Sequence, residues 1–201
     1  MICAEKKGSH WVPLLIMAVL VLCCTALFYA VPMAETESEI SPPMPWFSLE
    51  EGVLNFDASK YTGGSQLTVP SEIDGKSVTV IGEGCFQNCE NLTEISLPDT
   101  LEAIGEDAFR GCTALRGVRI PDQVLFIGKH AFSGCSNLEA VCISNNLQHF
   151  GTDALDGCSR LHYIYFLGNF PEWTGLYREF IDPTVVISCD DGKFYQSGDP
   201  A

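Results

Sequence analysis

Ten cysteines and four histidines are the residues of this 201-residue chain with the widest chemical repertoire, and their spacing narrows what they do. Cys89, Cys112, Cys135 and Cys158 recur at a fixed step of 23 and share a column pattern with apolar neighbours. Thiols repeated in that way read as a ladder of small buried hydrophobes, not as a disulfide framework, even in a chain exported to oxidising surroundings. Cys85 and Cys89 stand four apart, but no second pair of Cys or His ligands lies at the short spacing zinc requires, so no metal is expected. Cys142 and Cys189 fall outside the column, where a bridge and a lone thiol both stay open. His10, His130, His149 and His162 belong to no nucleophile motif, since G-x-S-x-G and H-E-x-x-H are both absent. Acidic neighbours such as Glu106–Asp107 and Asp190–Asp191 read as solvated turn residues. The expectation is a non-enzymatic protein without a cofactor, because no convergent polar group set is visible.

The elements that carry these residues follow from the same step. Ile81–Gly82 recurs as Ile104–Gly105, Ile127–Gly128 and Phe150–Gly151. Phe86, Phe109, Phe132 and Leu155 keep the register, as do Leu92, Leu115, Leu138 and Leu161. Two further columns are Ile95, Val118, Val141, Ile164 and Leu97, Ile120, Ile143, Phe166. Within one unit, Val118 and Ile120 lie two apart, which predicts a strand with one buried face. Ala108, Phe109, Cys112 and Leu115 are spaced for a short helical turn. Gly82, Gly105, Gly128 and Gly151 are expected to supply backbone freedom at the corner between the two pieces. A unit of this size cannot bury its own apolar face, so the coils must stack into a solenoid of α/β class, a short β-strand plus a short helical turn per 23-residue coil.

The units Ile104-Gly105-Glu106-Asp107-Ala108-Phe109-Arg110-Gly111-Cys112 and Ile127-Gly128-Lys129-His130-Ala131-Phe132-Ser133-Gly134-Cys135, each followed by an L-x-x-V-x-I strand, resemble the BspA-type leucine-rich-repeat family. Upstream, Tyr61-Thr62-Gly63-Gly64 with Leu67-Thr68-Val69-Pro70 resembles that family's opening coil, lengthened by a turn. The resemblance implies a leucine-rich-repeat solenoid on a bacterial or protozoan cell surface, engaging other molecules without catalysis. Departures begin in the fourth unit, where Phe150 replaces Ile, Leu155 replaces Phe, and Ser144 and Leu167 stand where Pro98 and Pro121 stood, leaving the coil shape there open.

The chain is expected to divide into a cytoplasmic N-terminus (1–10), an uncharged transmembrane anchor or signal segment (11–33), an acidic Pro-rich linker (34–52), the solenoid (53–171) and a C-terminal cap and tail (172–201). The segment 11–33 is long enough to span a bilayer, and Lys6 and Lys7 before it with Glu35, Glu37 and Glu39 after it predict that the remainder is exported. Its fate stays open between a retained transmembrane anchor, a cleaved signal and lipidation at Cys23 or Cys24, because no cleavage motif fits well. The expected localisation is therefore the cell membrane with an extracellular C-terminal domain, or secretion after cleavage. Trp173, Tyr177 and Phe180 are expected to cap the array, with a final strand at Val185–Ile187. From Glu35 onward there are 9 Lys+Arg against 25 Asp+Glu, a balance of −16, so nucleic acid and anionic surfaces are poor partners.

The residues alternating with the buried strand positions define the candidate contact surface: Glu94, Ser96, Arg116, Arg119, Glu139, His162, Tyr163 and Tyr165. Arg and Tyr are enriched at binding hot spots, so a protein or cell-surface ligand is the expected partner. The competing reading is a structural spacer or a component that assembles with copies of itself.

Overall fold

The structure is a computed structural model that describes residues 44–168, 185–189 and 194–196. In chain order the strands are β1 (Phe47–Glu50), β2 (Val53–Phe56), β3 (Gln66–Thr68), β4 (Glu72–Ile73), β5 (Lys76–Ser77), β6 (Val80–Ile81), β7 (Glu94–Ser96) and β8 (Ala103–Ile104). They continue as β9 (Gly117–Arg119), β10 (Phe126–Ile127), β11 (Ala140–Ser144), β12 (His149–Phe150), β13 (Tyr163–Leu167), β14 (Val186–Cys189) and β15 (Phe194–Gln196). One sheet has six strands in the order β1-β2-β6-β8-β10-β12, and the other has seven in the order β15-β14-β13-β11-β9-β7-β3. A small hairpin, β4-β5, stands apart. Each regular coil gives one strand to each sheet, and translation of like coils makes these pairings parallel. Antiparallel pairs occur at the ends, β1 with β2 and β14 with β15, and in the β4-β5 hairpin.

The expected helical turn is not a helix, and no helix occurs among the described residues, so the α/β assignment becomes an all-strand-and-turn solenoid. Two columns of left-handed residues explain why. Gly84, Asp107, His130 and Asp153 form one, at φ 58°, 55°, 54° and 56°. Asn88, Gly111, Gly134 and Gly157 form the other, at φ 57°, 73°, 74° and 71°. Right-handed helix cannot run through a left-handed residue every fourth position. The turn amides instead bond forward to the next coil: Asp107 N to Lys129 O, Phe109 N to Ala131 O and Gly111 N to Ser133 O, at 3.0, 2.7 and 2.8 Å. The same three-rung ladder joins 84–88 to 106–110 and 130–134 to 152–156.

The Ile-Gly glycines also serve a different purpose from the one expected. Gly105, Gly128 and Gly151 do not occupy the left-handed region; they let one coil's backbone rest on the next. A Cβ on Gly128 would stand 2.5 Å from Glu106 N and 2.6 Å from the carbonyl carbon of Gly105. The Ile-Gly pair is therefore not a corner but the end of a second strand that sequence periodicity did not reveal.

Between the sheets lies one continuous core. Ile81, Ile104 and Ile127 are fully buried, as are Phe86, Phe109 and the column Leu115 and Leu138. The phenylalanines stack, with centroids 5.1 Å apart at 11° for Phe86–Phe109 and 5.0 Å apart at 2° for Phe109–Phe132. Burying such a side chain contributes about 2–3 kcal/mol each. The fourth unit keeps the coil despite its substitutions. Ser144 is buried and its Oγ accepts the Asn146 amide at 3.1 Å, closing the turn that Pro98 and Pro121 close upstream. Ser144 and Leu167 also keep the N–H that proline lacks, and here β11 and β13 pair over five residues where β7 and β9 are three long.

Residues 47–50, within the stretch read as linker, form β1. Residues 185–189 add β14 parallel to β13. Segment 11–33 and the aromatic group Trp173, Tyr177 and Phe180 lie outside the described residues. Among the described residues no helix is long and apolar enough to cross a membrane.

Candidate functional site

The seven-stranded sheet turns two rows of side chains outward. Ladder pairing aligns Gln66, Glu94, Gly117, Ala140, Tyr163 and Val186 in the first. Arg119, Cys142, Tyr165 and Ser188 make the second, which Thr68 and Ser96 occupy in the earlier coils. Arg116, Glu139 and His162 stand just before their strands and are linked coil to coil by the bonds Glu139 N to Arg116 O and His162 N to Glu139 O, at 2.7 and 3.0 Å. Glu94, Ser96, Arg116, Arg119, Glu139 and His162 are exposed, whereas Tyr163 and Tyr165 are half-buried. Five of the eight sequence-selected residues, Glu94, Ser96, Arg119, Tyr163 and Tyr165, thus lie in the two outward rows, and Arg116, Glu139 and His162 stand beside them at the strand starts.

That face changes character along the solenoid. Near its start the side chains are polar, and Gln66 Nε2 donates to Glu94 Oε2 at 2.8 Å. Near its end it is aromatic: Tyr163 and Tyr165 stack with centroids 6.2 Å apart at 19°, and His162 leans on Tyr163 at 6.4 Å. His162 Nδ1 contacts the Arg160 carbonyl oxygen, which fixes the ring. Between them sits Arg119, whose Nη2 is 3.8 Å from Asp122 Oδ1 with both side chains about half exposed, so the guanidinium is loosely held and available. Gln66 and Thr68 were missed in the sequence because their coil departs from the regular step, whereas Ser188 keeps it, pairing with Tyr165 23 residues earlier, and was passed over because the surrounding unit is degenerate. Gln66 pairs with Glu94 across 28 residues, and only the Leu67-Thr68-Val69-Pro70 strand signature marks the place.

Other polar features are structural. His130 lies between Asp107 Oδ1, 3.9 Å from Nδ1, and Asp153 Oδ2, 3.6 Å from Nε2, all three at left-handed turn positions of successive coils. Arg110 Nη1 adds a contact of 3.4 Å to Asp107 Oδ1. The cysteine column holds thiols without bridges among Cys89, Cys112, Cys135 and Cys158. Cys112, Cys135 and Cys158 each donate to the carbonyl of the phenylalanine one coil earlier, at 3.1, 3.2 and 3.3 Å. Burial pushes Cys85 and Cys158 up to about 12 and Cys89 up to about 11, which leaves little thiolate for chemistry at neutral pH. The six-stranded sheet has its own outward row, in which Phe126 stacks on His149 at 4.5 Å and 11°.

Stacked 23-residue coils with parallel strands, a leucine column and a phenylalanine spine define a leucine-rich-repeat solenoid. More narrowly, the chain belongs to the BspA type Leucine rich repeat family, whose pattern matches residues 65–174 in 6 copies. Solved structures agree. A leucine-rich repeat protein of Bacteroides ovatus is 30% identical with a TM-score of 0.50, over 56% of this chain and 28% of that one. One from Bacteroides capillosus is 25% identical with a TM-score of 0.53, over 61% and 93%. The Leucine Rich Repeat protein of T. pallidum is 25% identical with a TM-score of 0.50, over 62% and 70%. This chain therefore spans about a quarter of the Bacteroides ovatus protein but most of the other two. No curated protein matches it.

Proposed function

We propose that the protein is a non-enzymatic binding or adhesion module, displayed outside the membrane, that meets a protein or cell-surface ligand through the outward face of its seven-stranded sheet. The observation that carries this reading is the placement of Arg119, Tyr163 and Tyr165 in the outward rows, with Arg116 and His162 exposed at the strand starts beside them. Arg and Tyr combine apolar area with donors and lose little conformational freedom on contact, which is why they dominate binding hot spots. The parallel ladder holds the backbone rigid, so association orders few groups. Export is supported by the uncharged segment 11–33 with Lys6 and Lys7 ahead of it, and the −16 balance beyond it favours a partner that carries positive charge. The test is light scattering combined with saturation binding to immobilised extracellular-matrix proteins. A monomer that binds saturably supports the reading; oligomers that grow with concentration and bind nothing else replace it with a self-assembling spacer.

A further inference from the structure

Successive regular turns leave no space between them, because each donates three backbone hydrogen bonds to the next. The first regular turn, residues 84–90, has no such turn before it. In its place the chain runs on from Phe56 through an irregular loop, and the mismatch opens a cleft of about 340 Å3. Its apolar lining is the half-buried Phe56, backed by the buried Phe86, Leu67 and Leu92. Tyr61 forms a wall held on three sides: its hydroxyl donates to Gln66 O at 2.8 Å, and its ring meets Trp46 and Phe56 edge-on at 5.6 and 5.5 Å. The loop crosses that ring so closely that a Cβ on Gly63 would lie 2.3 Å from it, so the wall is preformed. Asn91 and Glu90 also line the cleft, and Glu90 is its one acidic side chain among the described residues.

We propose that this cleft binds one cationic side chain, an arginine or lysine presented by a protein partner. A long basic side chain lays its apolar stem along hydrophobic surface and keeps its charged head at the rim. Here the stem would lie along the half-buried Phe56 and Tyr61, and Glu90 would meet the charge. The acidic balance of the domain raises the local concentration of cations and repels anions. Lys60 does not fill the role, since its Nζ is held by Asp57 Oδ2 at 2.8 Å. A single carboxylate is too few oxygen ligands for a calcium-type ion, which takes about six to eight. The volume is near the lower end for ligand pockets, roughly 300–1,000 Å3, and suits one side chain with its backbone.

The test titrates the full chain, held in neutral detergent, with acetyl-Gly-Arg-Gly-amide, its uncharged citrulline counterpart and cellobiose, reading backbone amide NMR shifts. The arginine peptide is expected to shift Gly63, Gly64 and Asn91 saturably and to bind about fivefold tighter than the citrulline peptide, the value of one partly solvated ion pair. Glu90→Gln should remove that preference. At Gly64 a Cβ meets open space, so Gly64→Trp should block the cleft and abolish the shifts with the melting midpoint unchanged. Equal affinity for arginine and citrulline, tighter binding of cellobiose, or shifts absent from these residues would each overturn the proposal.

Discussion

The middle of the array and its ends use the same pattern with different results. In the middle, Phe109 is sandwiched between two parallel rings, and Cys112 and Cys135 are completely buried. Toward the start, Phe56 meets Phe86 at 4.9 Å but tilted by 40°, and Cys89 is half-buried. Toward the end, Leu155 breaks the ring stack and Cys158 is half-buried. A repeat interior is stabilised by neighbours on both sides, whereas a terminal coil has one neighbour and an irregular cap. The same difference separates the two proposed contact surfaces: the regular coils give aligned rows, and the irregular start gives a cleft.

Substitutions can break this comparison, and the largest effect belongs to the middle. Phe109→Ala is expected to cost about 3–5 kcal/mol in chemical denaturation, whereas Leu155→Ala, where the ring stack has ended, should cost about 2 kcal/mol. Equal losses at the two positions would mean that the middle is no better packed than the end. Gly128→Ala is expected to lower stability by about 1–3 kcal/mol, because its methyl group meets backbone that cannot move aside. Thiol labelling sharpens the contrast without mutation. At pH 8, mass spectrometry after iodoacetamide should find Cys112 and Cys135 unmodified in the folded chain, with slow modification of Cys89 and Cys158. Their thiols ionise only near 11 and 12, well above the usual 9.0, so labelling should accelerate as pH rises toward those values. The smallest effect is expected on the sheet face, where Arg119→Glu should change the melting free energy by no more than about 0.5 kcal/mol.

Much of this was legible in the sequence because a fixed step exposes any column that is buried. Ile104, Phe109, Cys112, Leu115, Val118 and Ile120 announced the core, and alternation around Val118 placed Arg119 outside. What stayed hidden depends on backbone geometry, not on apolar spacing. A-F-x-x-C carries a helix-like period, yet Asp107 and Gly111 sit in left-handed conformations that end any helix. The second sheet was invisible since its strands in the regular coils are two residues long, too short to show alternation. The cleft could not be read because it arises from a mismatch between the opening coil and the first regular turn, and neither segment's sequence specifies a gap.

The central claim is that contact is made by the outward face of the seven-stranded sheet and not by that of the six-stranded sheet. Saturation binding to the immobilised matrix panel tests it with three chains of matched melting midpoint: the parent, Arg119→Glu combined with His162→Glu, and Phe126→Ser on the six-stranded sheet. The account predicts a saturable parent isotherm that weakens about tenfold in the Arg119 and His162 variant, the loss of one good hot-spot contact, and is unaltered in Phe126→Ser. Loss of binding in Phe126→Ser with the other variant unchanged would contradict it.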